Sequence, residues 1–455
     1  MLRGNSPSKI QNMERFKVSK YNFYIKYKEN ILYFNGISRS MLLFKPQEHL
    51  FFQEQFQNLN NFIQNYPTLF EFLKNRFFII ENSLDEISYI KYLNHCAIFL
   101  NKDYRITINP TLECNFKCWY CYESHKKGKL SLDVQDKIIK HIEYVLENKL
   151  IDSIDLGWFG GEPLLYFSEI VYPISLKIKS LTTYYQIPFS NHATTNAYLI
   201  NVDMIKKFQE INLSSFQITI DGNERKHNLI RNENGNPSFK RIIKNVIELC
   251  ERLYNCSIIL RVNYDNDTLK NIDSMLDLIP SQIRKKITIS LNRVWQTVTP
   301  EIKKNINNVE IFNHIYNKCL EYGYNISSAD SIPKSFIRCD CDKFWNLEIN
   351  YDGKIYKCTV DYNKESQGEF TESGEIIWKD YIYANMYGKE TFDNPRCLKC
   401  KLLPICLGPC SRKTIEKKQN PSCTILPCNM AGAEIDFENI IINHYKSILF
   451  KNLVK

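Results

Sequence analysis

Twelve of the sixteen cysteines in this 455-residue chain stand in two tight groups. That placement restricts what the chain can become more than any other feature. The first group is Cys114, Cys118 and Cys121, a C-x3-C-x2-C loop. The second opens with Cys339, Cys341 and Cys358, runs on as Cys397-x2-Cys400-x5-Cys406-x3-Cys410, and ends with Cys423 and Cys428. Clustered thiols serve as disulfides in exported chains and as metal or redox groups in cytosolic ones. The opening MLRGNSPSKIQNMERFKVSK has charge but no apolar run, so no secretory signal is expected. No stretch reaches the ~18 consecutive apolar residues of a membrane span. A chain this long also buries enough core to fold without disulfides. The cysteines are therefore expected to bind metal in a cytoplasmic protein.

Hydrophobic residues at 44% and charged residues at 24% describe an ordinary globular chain and exclude a disordered or fibrous one. Lys+Arg 59 against Asp+Glu 50 leaves +9, which an acidic peptide suits as well as any polyanion. Neither a nucleic-acid nor a membrane partner is expected.

Five stretches differ in pattern. Residues 1–100 begin with a polar tail, followed by YNFYIKY (21–27) and ILYFNG (31–36) around Lys28, Glu29 and Asn30, the pattern of a hairpin. A helical pattern over 52–64, a break at Pro67 and a second helical stretch near 68–75 lead into FFII (77–80), so a small winged-helix-like module is expected. Over 101–295, six apolar runs begin at residues 104, 154, 188, 216, 257 and 286, with helical patterns between most of them. Such alternation implies a parallel sheet with crossovers, whose active groups gather at the carboxyl ends of the strands. Residues 296–337 read as a helical bridge, 338–430 as a cysteine-dense region and 431–455 as a closing helix and tail.

Three thiolates as close as Cys114, Cys118 and Cys121 can grip three irons of a four-iron cluster, and no fourth cysteine follows nearby. Ordinary electron carriers use four cysteines per cluster. An iron left without a protein ligand is a place for chemistry, as at open catalytic metal sites. The alternative is a zinc knuckle with His125 as its fourth ligand. In the second group, nine thiols exceed by one the eight needed for two fully ligated clusters. The alternative there is a zinc ribbon built from the same C-x2-C. Cys96, Cys250, Cys256 and Cys319 stand apart and read as buried free thiols.

The first loop, with Tyr120 before its last cysteine, resembles the signature of radical S-adenosylmethionine (radical SAM) enzymes. WFGGEPLL resembles that family's Gly-Gly-Glu-Pro motif (Gly160, Gly161, Glu162, Pro163), ATTNAYL its next strand's Thr-Asn segment, and FQITIDGNERKHNLIR its Ser-x-Asp-Gly stretch. Ala197 stands where the family usually has Gly, and Thr219 replaces Ser but keeps the hydroxyl. The resemblance implies a partial (β/α)6 TIM-like barrel in an α/β fold. It also implies S-adenosylmethionine chelated on the open iron of a [4Fe-4S] cluster. The glycines would let backbone approach the cofactor, with Glu162 beside that approach and nearby carbonyls accepting from the methionine ammonium. Asn196 and Thr219 would reach its ribose or carboxylate. Asp221, His227 and Arg231 would organise their loop or meet substrate. Arg261 is read either as a cofactor contact or as a plain salt-bridge residue.

The second group resembles the SPASM extension of peptide-modifying radical SAM enzymes, with two auxiliary [4Fe-4S] clusters. By that resemblance Cys397, Cys400, Cys406 and a late cysteine, Cys428 in preference to Cys423, hold the outer cluster. Cys358, Cys410 and one or both of Cys339 and Cys341 hold the inner one. The implied substrate is a ribosomally made precursor peptide, and the implied electron donor a flavodoxin or ferredoxin. The N-terminal module resembles the leader-peptide recognition module of such maturases, and a thioether crosslink is the expected product. Two alternatives stand beside this. One is a sulfatase-maturing enzyme; there an Asp follows the G-x4-C cysteine, whereas this chain has Thr359, leaving Asp361 as a displaced candidate base. The other is an iron–sulfur protein for electron transfer or sensing, without turnover.

Overall fold

Apolar residues alternate along each strand and recur at helical spacing between strands, and the chain folds accordingly. The computed structural model describes residues 15–264, 272–294, 309–328, 332–333, 335–362, 364–387, 391–412 and 434–453. The first strands are β1 (Phe16–Val18), β2 (Asn22–Tyr27), β3 (Asn30–Asn35) and β4 (Met41–Phe44). Helices α1 (Pro46–Gln55), α2 (Leu59–Asn65) and α3 (Pro67–Lys74) follow, then β5 (Ile79–Glu81) and α4 (Glu86–His95). Strands β2, β3 and β4 form an antiparallel meander, and β1 pairs with β5. The expected hairpin is present, with Lys28 at φ 56° in its turn. The strand β4 was not anticipated. The helical pattern over 52–64 resolves into two helices, because Asn58 accepts from Asn61 N at 3.0 Å and starts α2 afresh. Pro67 is the first residue of α3, where its missing N–H costs nothing.

Next come β6 (Asp103–Ile108), α5 (Leu132–Glu147), β7 (Ser153–Trp158), α6 (Tyr172–Tyr184), β8 (Phe189–Thr195), α7 (Val202–Glu210) and β9 (Leu213–Ile220). Helix α8 (Glu224–Ile230) leads into a two-residue hairpin, β10 (Asn232–Glu233) and β11 (Asn236–Pro237), and then α9 (Phe239–Arg252). The remaining strands are β12 (Ser257–Tyr264), β13 (Ile287–Arg293), β14 (Asn325–Ser328), β15 (Asn346–Ile349), β16 (Ile355–Tyr356), β17 (Gly368–Phe370) and β18 (Ile376–Trp378). Longer helices outside these are Val309–Glu321, Asp380–Tyr387 and Glu434–Leu453.

One sheet runs β14-β13-β12-β9-β8-β7-β6-β15-β16-β17-β18. From β14 to β15 every neighbouring pair is parallel, and the last three strands are antiparallel. All six expected core strands lie in it. Strands β14 and β15 extend it on either side. Strand β15 matters most for the site: Glu348 lies opposite Thr107, which sews the cysteine-rich region to the first core strand. Ile106, Leu156, Ala193, Ile218, Leu260 and Ile289 are all buried in the core shared with the helices. Most of the residues between them are polar and take the opposite face, with Ile259 an exposed exception.

The N-terminal meander packs on the second cysteine region. Ile25, Leu32 and Phe34 meet Leu402, Ile405, Phe437 and Ile441, and Tyr21 and Ile37 meet Phe392, Leu403 and Leu407. Arg39 Nη2 donates to Pro404 O at 2.8 Å.

Candidate functional site at the carboxyl ends of the parallel strands

The loop after β6 carries Cys114, Cys118 and Cys121, and the ends of β7, β8 and β9 hold it in place. Gly161 N donates to Thr111 O at 3.1 Å and Glu162 N to Glu113 O at 2.8 Å. The close approach that the glycine pair permits is to this loop. A Cβ on Gly160 would stand 2.3 Å from Thr111 O, and one on Gly161 would stand 2.1 Å from Glu113 O. Gly160 also has φ +106°, which L side chains rarely adopt. Pro163, buried, opens the turn that follows.

Glu162 is fully buried. Its carboxylate accepts from Leu164 N at 3.0 Å, Thr195 Oγ1 at 2.7 Å and Asn196 N at 2.7 Å. Burial pushes its carboxyl up, while these donors and Arg231 act the other way. Asn196 in turn donates from Nδ2 to Asn115 Oδ1 at 2.7 Å, with Cys114 Sγ 3.9 Å away. The GGEP turn, the end of β8 and the cysteine loop are thus one laced unit. Ala197 has φ 58°, the left-handed conformation that accounts for a Gly preference there.

Tyr120 centres a second node. Its hydroxyl donates to Asp221 Oδ2 and receives from Arg231 Nη1 at 2.8 Å and Asn263 Nδ2 at 3.1 Å. Arg261 Nε donates to Asn263 Oδ1 at 2.9 Å, and Thr219 lies opposite Arg261 in the β9–β12 register. Burial opposes the Arg231 charge, but Tyr120, Cys118 and Asp221 hold it protonated. Asp221 Oδ1 and Arg231 Nε are buried without a hydrogen-bond partner among the described residues. An orphaned acceptor and an orphaned donor beside a thiol loop fit a polar cofactor. Asn115 and Asn263 were missed. The signal for Asn263 was its spacing two residues from Arg261 on a strand, which puts both on one face.

His227 is buried and organises its loop. Its Nδ1 accepts from Asp221 N at 3.2 Å, so the proton sits on Nε2, 3.0 Å from Ser238 Oγ, which donates to Arg231 O at 2.6 Å. Burial lowers its pKa to about 3. His141, between Tyr104 OH at 2.7 Å and Gly374 O at 2.7 Å, is lowered to about 4 for the same reason. Both rings are neutral when folded. The unfolded chain therefore takes up protons first, below about 6.5, and stability is lost as pH falls from there toward the folded values. Denaturant unfolding of the apoprotein at stepped pH should lose up to about 1.4 kcal/mol per pH unit per histidine in that window. A His227→Gln protein should show a flatter profile; an unchanged slope would refute the assignment.

Burial pushes the Cys114 thiol up to about 12, with Glu162 adding to it, and raises Cys118 and Cys121 as well. Metal binding to such thiols releases their protons. His125 Nε2 lies 3.4 Å from Cys121 Sγ. Among the described residues no three His, Cys, Asp or Glu side chains form a group that could hold a metal ion.

In the second region Cys341, Cys410 and Cys339 all act on the Arg338 guanidinium, which pairs with Asp342 at 2.8 Å. The Cys341 thiol donates to Asp342 Oδ1 at 3.8 Å; its own pKa is pushed well up, while that of Cys339 is drawn down to about 7. Cys397 and Cys406 sit on two short helical turns, Pro395–Leu398 and Leu403–Cys406, and Cys400 lies between them, with Cys400 N donating to Cys397 O at 3.0 Å and Leu402 N to Cys400 Sγ at 3.4 Å. Cys423 and Cys428 lie outside the described residues. Asp361 is engaged by Lys364 at 2.9 Å and Gln367 at 3.1 Å, with Arg412 at 3.9 Å. Two other carboxyls had escaped notice. Burial pushes Glu123 up to about 7 and Glu348, which accepts from Tyr362 OH at 3.1 Å, up to about 8.

Comparison with known proteins agrees with this geometry. Residues 108–279 match the Radical SAM superfamily. An uncharacterized protein of Synechocystis sp. is 32% identical over 111 residues, spanning 23% of this chain and only 27% of its own length. Among solved structures, native anSMEcpe with bound AdoMet is similar with TM-score 0.58 and 18% identity, over 77% of this chain and 100% of that one. Streptococcus suis SuiB is similar with TM-score 0.50 and 16% identity, over 87% and 96%. SuiB bound to precursor peptide SuiA has the same TM-score, 0.50, and identity, 16%, over 88% and 96%. No helix among the described residues is long and apolar enough to cross a membrane. The three-thiol loop and the GGEP lacing both lie within the stretch, residues 108–279, that matches the Radical SAM superfamily, so this part of the chain is a Radical SAM domain.

Proposed function

We propose that this chain is a peptide maturase: a radical SAM enzyme that removes hydrogen from a ribosomally made precursor and closes a crosslink, most simply a thioether. The observation that carries the reading is the convergence of Cys114, Cys118 and Cys121 with the Glu162 lacing and the Tyr120–Asp221–Arg231 node. Cys114, Cys118 and Cys121 would hold the cluster, and Asn196, Thr219, Asp221, Arg231 and Arg261 would face S-adenosylmethionine. When bound, that pair supplies a 5′-deoxyadenosyl radical. Glu162 fixes the ends of β7 and β8, and Tyr120 and Arg231 fix the floor beneath, so donor and target carbon are held in contact before water intervenes. Joining a carbon radical to a peptide thiol releases one proton and one electron. The second cysteine group is the destination proposed for the electron.

The peptide assignment is supported by two similar structures, described with a Cp18Cys peptide and with precursor peptide SuiA. The β4 edge (Met41–Phe44) of the N-terminal meander suits an extended leader, which would add a strand through its backbone. The sulfatase-maturing reading is disfavoured because Thr359 occupies the base position and Asp361 is held by Lys364 and Gln367.

Co-expression with a short cysteine-bearing peptide whose reading frame is found beside the gene should lower that peptide's mass by two hydrogens. Cys397→Ala should still form 5′-deoxyadenosine but yield no mass loss. Formylglycine on the peptide, or no modification of any cysteine-bearing peptide, would overturn the proposal.

A further inference from the structure

The string Cys339-Asp340-Cys341-Asp342 alternates two thiols with two acids, and the chemistry above uses only the thiols. The acids reach in different directions. Asp340 pairs with Arg105 of β6 and with Lys343, each at 2.7 Å, but its side chain is 44% exposed and water weakens such pairs. The side chain of Asp342 is only 7% exposed, and that of its partner Arg338 13%. Arg338 Nη2 donates to both Asp342 oxygens at 2.8 Å. A buried pair recovers its desolvation cost only where further hydrogen bonds complete it.

Those bonds come from far along the chain. Ser411, 69 residues after Asp342, donates from Oγ to Asp342 Oδ1 at 2.6 Å and receives from Arg338 Nη2 at 3.1 Å. Arg338 Nη1 extends to Gly408 O at 3.5 Å. An Arg and an Asp four positions apart need no third partner to close a turn, so the reach to Ser411 is the informative bond. The Cys341 thiol meets the same carboxylate oxygen at 3.8 Å. Asp342 Oδ1 therefore gathers a cysteine of the 339–342 turn and the residue that follows Cys410. The next residue, Arg412, faces Asp361 at 3.9 Å, three positions after Cys358. Cys410 is thus followed by two side chains that each reach a different cysteine-bearing segment.

We propose that Arg338, Asp342 and Ser411 are positioning residues: they clasp the turn carrying Cys339 and Cys341 to the turn carrying Cys410, and so set those thiols together for one inner cluster. This rests on the auxiliary-cluster reading above. Losing a side chain that orients the ligands of a metal typically costs about 10–100-fold in affinity for it. The clasp contains no sulfur, so breaking it should loosen one cluster without removing a ligand.

The test follows iron loss to a ferrous chelator from full-length, anaerobically reconstituted holoprotein, with EPR of reduced samples reporting which cluster is losing it. The inner signal is identified as the one missing in Cys358→Ala. Asp342→Asn leaves the Arg338 charge unanswered, and its inner cluster should be lost about tenfold faster than in wild type, with the other clusters within about twofold. Arg338→Met combined with Asp342→Leu replaces the buried pair by apolar groups, an exchange that folds often accept without loss of stability. That double variant should unfold thermally like wild type and still shed the inner cluster about tenfold faster, which separates clasping from folding. Ser411→Ala should accelerate the loss similarly, and Ser411→Thr, which keeps the hydroxyl, should restore the wild-type rate. An inner-cluster rate within about twofold of wild type in either the double variant or Ser411→Ala overturns the inference, because a clasp that orients ligands must cost more than that. Equal acceleration of every cluster also overturns it, because the whole fold would then have loosened. Wild-type protein with iron for one cluster only would instead sink the auxiliary-cluster reading, and this inference with it.

Discussion

Cys114→Ala protein should form no 5′-deoxyadenosine above the enzyme-free background when reconstituted with iron, sulfide, S-adenosylmethionine and a reductant. Its iron content should fall by about four atoms, the complement of one cluster. The effect should be total because the three thiols have no deputy. Cys114 is tied to Asn196, Asn115 and the Phe116 amide. Cys118→Ala and Cys121→Ala should behave alike. Retained cleavage by any of the three, measured by chromatography of the nucleoside product, would contradict the assignment of the loop.

Gly161→Ala should be nearly as damaging while leaving every sulfur in place. The added methyl would press on Glu113 O at 2.1 Å and Leu112 O at 2.4 Å, both backbone atoms with no rotamer to change. Relief requires moving the cysteine loop off the end of β7. Overpacking costs ~1–3 kcal/mol. A displacement of about 1 Å at a reacting centre costs on the order of a hundredfold in rate. The expected signature is a large loss of 5′-deoxyadenosine formation with a modest loss of thermal stability. Wild-type turnover would show that the loop is not held as described.

The same glycines mark the border between what could be read in the residues and what required the fold. Each core strand was legible because alternating apolar residues point one way toward the helices. The polar partners of those residues were legible one at a time, as Thr219, Asp221 and Arg261, but not as a lattice. That Glu162 accepts from both Thr195 and Asn196 depends on β7 lying beside β8, and no spacing rule encodes it. Strands β14 and β15 escaped because each is only four residues long and pairs far along the chain. Glu348 escaped because a charged residue in a polar-looking segment is ordinarily solvated, and burial is a property of the packing. His227 is the converse case. Its position was noted, but its neutral state follows from sitting between Asp221 N and Ser238 Oγ.

The N-terminal meander is also masonry. Ile25, Leu32 and Phe34 cover Leu402, Ile405 and Ile441, and each such side chain gains ~1.5–3 kcal/mol from being shielded. A chain trimmed to start at β6 would bare that surface and slacken the turns bearing Cys400 and Cys406, which pack against the same seam. The N-terminal meander and the turns bearing Cys400 and Cys406 therefore share a party wall. Neither can be remodelled by evolution or by design without the other registering the change.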